Sequence, residues 1–328
     1  MSKKNIAILC GGDSSESIIS VKSAYNVAGW VDKEKYNPYK IFMKGADWHL
    51  QEDGKLEVAV DKNDFSITLD GKKIKFDCAL IIIHGAPGEN GVLQSYFDIL
   101  GVPYSTCNAF VSALTFNKFA CKAFLSDQKI NMAKAVLVRR DDKMNPDELV
   151  NYLGLPMFAK PNNGGSSFGV TKIKSAQDLQ CAMDEAFKED DEIIIEEFIA
   201  GTEVTCGVMI LNGQEVVLPV TEVVSKNEIF DFGAKYAGQS EEITPARISP
   251  ELTTLVQSTT LEIYKRLGCN GIARADYILS SNTPYFLEIN TVPGMTGTSF
   301  IPQQVAAAGG AMPQVLTAVI EDTCARKR

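Results

Sequence analysis

The chain has 328 residues, 45% of them hydrophobic, which is enough for two or three domains with a sizeable core and argues against disorder. The net charge of −9 and the isoelectric point near 5.0 argue against a nucleic-acid-binding protein. Eight cysteines without a CxxC pair and only two histidines argue against a zinc site and indicate a reducing compartment. The apolar run at residues 5–10 is too short for a signal peptide or a membrane span, so we expect a cytoplasmic protein without membrane insertion.

Strand and helix signals alternate from the start of the chain, which is typical of an α/β fold. A first strand at Ile6–Cys10 leads through two glycines into a helix predicted over Ser17–Trp30, and Tyr39–Met43 is a second strand candidate. Residues 48–75 resemble short antiparallel strands. The unbroken apolar run Cys78–Ile83 predicts a parallel strand buried on both faces.

Two polar residues follow strands of this first sheet, at the edge where ligands of doubly wound sheets collect. Glu16 comes just after the two glycines, where it could pair with a substrate ammonium or stabilise the start of a helix. His84 directly follows the buried run. A lone histidine is more often structural, but this position favours a site.

The middle of the chain contains a glycine-rich loop after a strand predicted at Met157–Lys160. Lys160 supplies a cation, and the loop adds two adjacent glycines and the hydroxyls of Ser166 and Ser167. Such a loop can surround a polyphosphate with backbone N–H groups. It differs from the GxxxxGK[ST] loop because the lysine precedes the glycines, and a flexible hairpin is the alternative. Helices are predicted around Lys118 and at Ser175–Phe187.

The strand Glu192–Glu197 runs into a backbone segment at 198–203 that could hydrogen-bond adenine, although the local sequence favours an ordinary strand and turn. Further strands are predicted at Val204–Leu211 and Glu215–Val220, and a helix at Pro250–Leu267. The long polar loop between them has the length of an active-site lid. Its useful side chains would be Lys235 and Tyr236.

The most informative pattern lies near the end of the chain. Arg274 and Asp276 alternate along one predicted strand, and Glu288 and Asn290 along another. Residues two apart in a strand share a face, so three oxygen donors and a guanidinium would converge. This set of groups is suited to binding Mg²⁺ together with the phosphates of a nucleotide. The alternative is a polar strand face that is simply exposed to solvent. The small residues at 291–299 can bring backbone N–H groups close to an anion.

In this order the motifs resemble the ATP-grasp ligases, and within them the D-alanine–D-alanine ligase family, over nearly the whole chain. The resemblance implies a three-domain ATP-grasp α/β fold with an N-terminal doubly wound parallel sheet. The expected domains are residues 1–106 for substrate binding, 107–195 with the phosphate loop, and 196–328 with the lid and metal site. It also implies ATP, two Mg²⁺ ions with Mn²⁺ as a substitute, peptidoglycan precursor synthesis and a homodimer.

The resemblance further implies a role for each candidate residue. The nucleotide would be bound by Lys118, Lys160, Ser166, Ser167 and Lys235 at the phosphates, Glu196, Glu197, Phe198 and Ile199 at adenine, and Glu203 at the ribose. The metal ligands would be Asp276, Glu288 and Asn290. The D-alanine substrates would contact Glu16, His84, Arg274, Gly294, Ser299 and Phe300. Tyr236, Ser166 and Glu16 would link the lid, the phosphate loop and the first domain.

Three departures from the family pattern occur. Phe230 and Phe232 replace frequent tyrosines of the lid, Gly164 replaces a frequent acidic residue, and Ala86-Pro87 replaces a basic-glycine pair. No phosphate lysine or metal ligand is lost, so an active enzyme is expected. The alternatives are a D-alanine–D-lactate ligase, which usually lacks the lid tyrosine, another ATP-grasp carboxylate–amine ligase, and a non-catalytic nucleotide-binding module.

Overall fold

A computed structural model describes residues 3–51, 58–165, 168–225 and 240–326 of the chain. Within these ranges the chain forms three β-sheets with flanking helices, in agreement with the predicted α/β class. No helix in this described part is long and apolar enough to cross a lipid bilayer.

The first sheet combines a parallel centre with an antiparallel extension. Its strands are β1 (Lys4–Gly11), β2 (Tyr36–Lys44), β3 (Asp47–Leu50), β4 (Val58–Asp61), β5 (Ser66–Leu69), β6 (Lys72–Lys75) and β7 (Cys78–Ile81), in the order β6-β5-β4-β3-β2-β1-β7. β1 is parallel to both β2 and β7, and the pairs from β2 to β6 are antiparallel. Helices α1 (Ser17–Trp30) and α2 (Val92–Leu100) follow β1 and β7. The carboxyl ends of β1 and β7 therefore meet at one edge.

The second sheet is small and antiparallel. The elements of this segment are α3 (Ala109–Phe116), α4 (Lys118–Leu125), β8 (Asn131–Met132), β9 (Ala135–Arg139), α5 (Pro146–Leu153), β10 (Met157–Pro161), β11 (Thr171–Ile173), a 3-10 turn (Ala176–Asp178), α6 (Leu179–Ala186) and β12 (Glu192–Glu197). The strand order is β11-β10-β12-β9, and apolar residues of α5 and α6 cover one face. The predicted helix over Ser175–Phe187 is thus a 3-10 turn followed by α6.

The third sheet contains the two strands on which Arg274, Asp276, Glu288 and Asn290 lie. Its elements are β13 (Thr202–Leu211), β14 (Gln214–Val217), β15 (Thr221–Ser225), β16 (Ser240–Ile243), α7 (Pro250–Leu267), β17 (Ala273–Ser280), β18 (Thr283–Asn290), α8 (Phe300–Ala307) and α9 (Met312–Ala325). The order is β16-β15-β13-β17-β18-β8, with β14 paired to β13. The ends of α7 are locally encoded, since the Ser249 hydroxyl accepts the Leu252 N–H and Gly268 adopts a left-handed conformation.

The last helix joins the first and third sheets through one core. Ile6 and Ile8 of β1 lie in the same buried cluster as Leu316 and Ile320 of α9. At the rim, Tyr36 donates a hydrogen bond to Glu321 at 2.5 Å. This packing fixes the carboxyl edge of the first sheet beside the loop that follows β18.

The glycine in the middle of β13 allows α8 to lie against the third sheet. A Cβ atom at Gly207 would be 2.7 Å from both Gln304 Oε1 and Ile301 Cδ1. Gln304 is fully buried, and its side-chain oxygen accepts the Gly207 N–H at 3.0 Å. We expect Gly207→Ala to lower the free energy of unfolding by about 1–3 kcal/mol through overpacking. Thermal or denaturant unfolding measures this loss.

Gly29→Ala is the matched control, because a Cβ atom there meets nothing within 4 Å and the residue lies within α1. The same chemical change should stabilise that helix by about 0.5–1 kcal/mol. Equal unfolding midpoints for the two variants would show that β13 and α8 can move apart without lowering the free energy of unfolding.

Candidate active site

The predicted convergence of four polar residues on two neighbouring strands is confirmed. β17 and β18 pair antiparallel, with Arg274 opposite Asn290 and Asp276 opposite Glu288. Directly opposite residues of an antiparallel pair project to the same face. The register shifts between Asp276 and Tyr277, just after the polar pairs. The four side chains therefore form one polar patch at the end of the third sheet.

The carboxylate of Asp276 is the most heavily bonded group of this patch. Arg274 forms a two-pronged ion pair with it, from Nε to Oδ1 and from a terminal nitrogen to Oδ2, each at 2.8 Å. Thr205 donates to Oδ1 at 2.5 Å, and Asn290 donates to Oδ2 at 3.0 Å. The guanidinium also lies 5.1 Å from the ring centre of Phe300. These contacts hold both Arg274 and Asp276 in fixed orientations.

Lys118 joins the glycine-rich loop to the third sheet. It begins α4, where the Asn117 side chain caps the helix by accepting the Ala120 N–H at 2.8 Å. Its Nζ lies 2.5 Å from the carbonyl oxygen of Gly164 and 3.2 Å from Glu288 Oε2. A cation is thereby placed between the loop and the carboxylate of β18.

Lys160 lies in a buried group of three charges that the sequence did not predict. Its Nζ is 2.5 Å from Glu196 Oε2, while Lys122 forms an ion pair with Oε1 of the same carboxylate. Burial opposes the ionised carboxylate, but the two lysines outweigh it and lower the pKa of Glu196 to about 2. Burial also opposes the charge of Lys160, yet Glu196 and Glu288 outweigh that effect and raise its pKa. The position of Lys122 four residues after Lys118, on the same face of a helix, was the available sequence signal.

The segment after β12, which was predicted to bind adenine, lies beside the second sheet. The ring of Phe198 packs 5.9 Å from that of Phe158, and Lys172 Nζ lies 4.5 Å above it. The Glu197 side chain accepts the backbone N–H of Lys134 at 2.8 Å. Ile199 follows Phe198 and is partly buried. Glu203 is the second residue of β13, in register with Val223 and Ile278.

His84 connects the first sheet to the loop after β18. Its Nδ1 lies 2.9 Å from the Val292 carbonyl oxygen, and since a carbonyl only accepts, Nδ1 carries the proton. The other ring nitrogen, Nε2, is buried and has no hydrogen-bond partner among the described residues. Burial lowers the pKa of His84, so the ring is neutral with Nε2 as an acceptor.

Glu89 is a site residue whose role the sequence did not predict. Its carboxylate accepts the Gly85 N–H at 2.7 Å and the Val292 N–H at 3.3 Å. Burial raises its pKa to about 8, and the nearby charges of Glu16 and Glu288 add to the increase. The proton affinity of this carboxyl therefore depends on what else occupies the site.

The loop after β18 ends at the N-terminus of α8. Ser299 precedes that helix, and its hydroxyl accepts the Thr296 N–H at 3.0 Å. A Cβ atom at Gly294 would lie 2.9 Å from Ser299 Oγ, which explains the glycine there. The N–H groups at the start of a helix attract anions, and here they adjoin a serine hydroxyl.

Residues from several of these elements line one cavity of about 620 Å³. The predicted residues on its wall are Glu16, His84, Lys118, Arg274, Glu288, Asn290, Gly294, Ser299 and Phe300. Lys160, Glu196, Glu197, Phe198, Ile199, Glu203 and Asp276 are not part of this wall. The residues that lie outside the described ranges are Ser166, Ser167, Lys235, Tyr236 and the two lid phenylalanines, Phe230 and Phe232.

The wall also contains a carboxamide–carboxylate pair that the sequence did not indicate. Gln303 Nε2 of α8 donates to Glu242 Oε2 of β16 at 2.6 Å and to the Thr298 carbonyl at 2.7 Å. Burial raises the pKa of Glu242. Glu242 lies within the predicted polar loop, where the structure instead forms β16, and only the pairing of β15 with β16 brings it to the cavity.

Comparisons with known proteins agree with this geometry. Family models described as D-ala D-ala ligase N-terminus and C-terminus match residues 5–107 and 124–321. A D-alanine--D-alanine ligase of Phocaeicola vulgatus is 51% identical over 321 residues, which cover 98% of this chain and 99% of that protein. The structure of the VanG D-Ala:D-Ser ligase from Enterococcus faecalis matches with a TM-score of 0.88 and 31% identity, covering 98% of this chain and 99% of that one. A D-alanine--D-alanine ligase from Bacillus anthracis complexed with ATP matches with a TM-score of 0.79 and 30% identity, covering 98% and 97%.

Proposed function

The chain belongs to the D-alanine–D-alanine ligase family, and we propose that it joins two D-alanines at the cavity described above while ATP is converted to ADP and phosphate. The observation that carries this proposal is the face shared by Arg274, Asp276, Glu288 and Asn290, with Lys118 beside it. Three kinds of group lie close to one cavity. They are cations that can bind phosphates, oxygen donors that can bind a metal, and a helix N-terminus that can bind an anion. A module that only bound a nucleotide would not need all of them.

The nucleotide is assigned to the space between the second and third sheets. Lys118 and Lys160 bind its phosphates, with Ser166 and Ser167 in the loop and Lys235 in the lid. Because the carboxylate of Glu196 is already held by two lysines, the adenine contacts of this strand fall to Glu197 and to the backbone at 198–199. Glu203 binds the ribose.

The donor set of the polar patch fits Mg²⁺. Asp276, Glu288 and Asn290 supply oxygen atoms, which hard divalent cations prefer. Two of these side chains line the cavity and the third is hydrogen-bonded to both Arg274 and Asn290. These three residues would hold two Mg²⁺ ions, or Mn²⁺ in their place, which would neutralise charge on the transferred phosphoryl group.

The first D-alanine is assigned to the edge of the first sheet. Glu16 accepts from its ammonium, and the neutral Nε2 of His84 offers a further acceptor. A Cβ atom at Gly165 would lie 3.1 Å from Glu16 Oε2, so this carboxylate already adjoins the phosphate loop. The substrate carboxylate would therefore face the γ-phosphate. Tyr236 and Ser166 would complete the link to the lid.

The reaction has two steps. A carboxylate oxygen of the first D-alanine attacks the γ-phosphorus and the bond to ADP breaks, giving an acyl phosphate. The amine of the second D-alanine then attacks the acyl carbon, loses a proton, and inorganic phosphate leaves. Arg274 and the Gly294 N–H stabilise the oxyanion formed at that carbon, and Ser299 with the Phe300 N–H holds the second carboxylate. Positioning and charge neutralisation account for most of the acceleration.

The family resemblance supports the wider part of the proposal. The product would serve peptidoglycan precursor synthesis in the cytoplasm, and the active form would be a homodimer. The division into domains 1–106, 107–195 and 196–328 is proposed on the same basis.

The deciding experiment measures phosphate release by the purified protein with ATP and Mg²⁺, with products identified by mass. D-alanine alone, L-alanine alone, and D-alanine with D-lactate are compared. We expect dipeptide from D-alanine alone and none from L-alanine. A depsipeptide as the main product would favour a D-lactate ligase, whereas ATP binding without turnover on any of them would remove the ligase assignment.

A further inference from the structure

Lys122 is a buried cation for which the reaction described above has no role. It lies one turn after Lys118 on α4 and is only 6% exposed. Its Nζ forms an ion pair with Glu196 Oε1, and Glu196 itself is only 4% exposed. A buried lysine loses its hydration, and this loss is offset only when a charged partner is close.

The partner of Lys122 is shared with the lysine assigned to the phosphates. Glu196 Oε2 is 2.5 Å from Lys160 Nζ, so one carboxylate bridges two ammonium groups. The three groups together carry one net positive charge. If Lys122 were absent, Lys160 and Glu196 would form a neutral pair, and the repulsion between Glu196 and an approaching phosphate would offset much of the attraction that Lys160 exerts.

We propose that Lys122 is a positioning residue for ATP: it neutralises Glu196 and so leaves the positive charge of Lys160 available to the nucleotide phosphates. This inference rests on the proposed phosphate-binding role of Lys160. Lys122 does not line the cavity and touches neither substrate nor metal in the proposed arrangement. It acts through Glu196, which fixes the end of the Lys160 side chain.

A purely structural role makes a different prediction. Lys122 also lies 3.5 Å from the Ala133 carbonyl oxygen, and it could simply hold α4 against the second sheet. In that case its loss would lower stability but would leave the concentration of ATP needed for half-maximal rate unchanged. The charge of Glu196 would then have no influence on the effect of the substitution.

The experiment compares Lys122→Met, Lys122→Arg, Glu196→Gln and the double variant Lys122→Met/Glu196→Gln in the full-length protein. We expect Lys122→Met to raise the KM for ATP about tenfold or more, with a smaller change in kcat, and Lys122→Arg to stay close to wild type. In the Glu196→Gln background the methionine substitution should have little further effect, because no carboxylate remains to be neutralised. Lys129→Met, at an exposed lysine after the same helix, is the control.

A wild-type KM for ATP in Lys122→Met would overturn the inference. The inference would also be overturned if Lys122→Met raised this KM equally in the wild-type and the Glu196→Gln backgrounds. If Lys122→Met fails to fold, Lys122→Gln supplies the same test, because its amide can still donate hydrogen bonds to Glu196 but carries no charge to neutralise that carboxylate. A raised KM for ATP is expected for this variant, and a wild-type KM would overturn the inference. Failure of the wild-type protein to ligate D-alanine would instead refute the proposed function. The two failures are therefore distinguishable.

Discussion

Replacing Arg274 with lysine is expected to lower kcat for dipeptide formation by about 10²–10³-fold, the usual loss when one oxyanion donor is removed. Lysine keeps the charge but cannot reproduce the two parallel hydrogen bonds to Asp276 at 2.8 Å or the stacking over Phe300. The KM for ATP should change little, because Arg274 is not assigned to the nucleotide. Steady-state rates at saturating ATP and D-alanine measure the effect.

The control is Arg266→Lys, because this arginine is exposed on α7 and is 3.9 Å from Glu262. It should retain wild-type turnover. Asp276 loses two hydrogen bonds in Arg274→Lys, so the unfolding midpoint of each variant must be measured as well. Wild-type kcat in a stably folded Arg274→Lys would show that the oxyanion is stabilised elsewhere.

Glu288→Gln is expected to lower turnover about a hundredfold or more, because an anionic oxygen ligand is replaced by a neutral amide. ATP binding measured without Mg²⁺ should persist or become tighter. The carboxylate lies 3.2 Å from Lys118 Nζ, and its removal leaves that cation to the phosphates. The dependence of the rate on Mg²⁺ concentration should shift to higher values. Titration calorimetry and steady-state rates measure the two effects separately.

Glu215→Gln provides the comparison on the same sheet, since Glu215 is an exposed residue of β14 paired with Lys265. It should leave both turnover and the Mg²⁺ dependence unchanged. The metal assignment of Glu288 would be wrong if Glu288→Gln turned over at the wild-type rate with the wild-type Mg²⁺ dependence.

The sequence predicted elements and contacts that depend on short stretches of chain. The helices Ser17–Trp30 and Pro250–Leu267 have the predicted bounds. The bounds of the second helix follow from local signals, because Ser249 and Pro250 begin it and Gly268 ends it. The apolar run Cys78–Ile83 contains the predicted buried strand, which ends at Ile81. The shared face of β17 and β18 was also predictable, since the alternation of strand side chains follows from geometry alone. Helices α3, α5, α8 and α9 were not predicted.

Glu89, Lys122, Glu242 and Gln303 were given no role because each contacts at least one residue that is distant in sequence. Lys122 is separated from Glu196 by 74 positions, and His84 from Val292 by 208. No local pattern encodes such pairings, and a charged residue on a helix or loop is solvated unless another element covers it.

The sequence by itself determined the fold class, the family and the residue types of the site, since motif order and strand alternation are properties of the chain. Only the tertiary structure decided which charges are neutralised and which remain available to a ligand. It places Glu196 between two lysines, fixes the tautomer of His84 and raises the pKa of Glu89 to about 8. The physical reason is that burial and the distance between charges, which set electrostatic energies, exist only after the sheets have packed together.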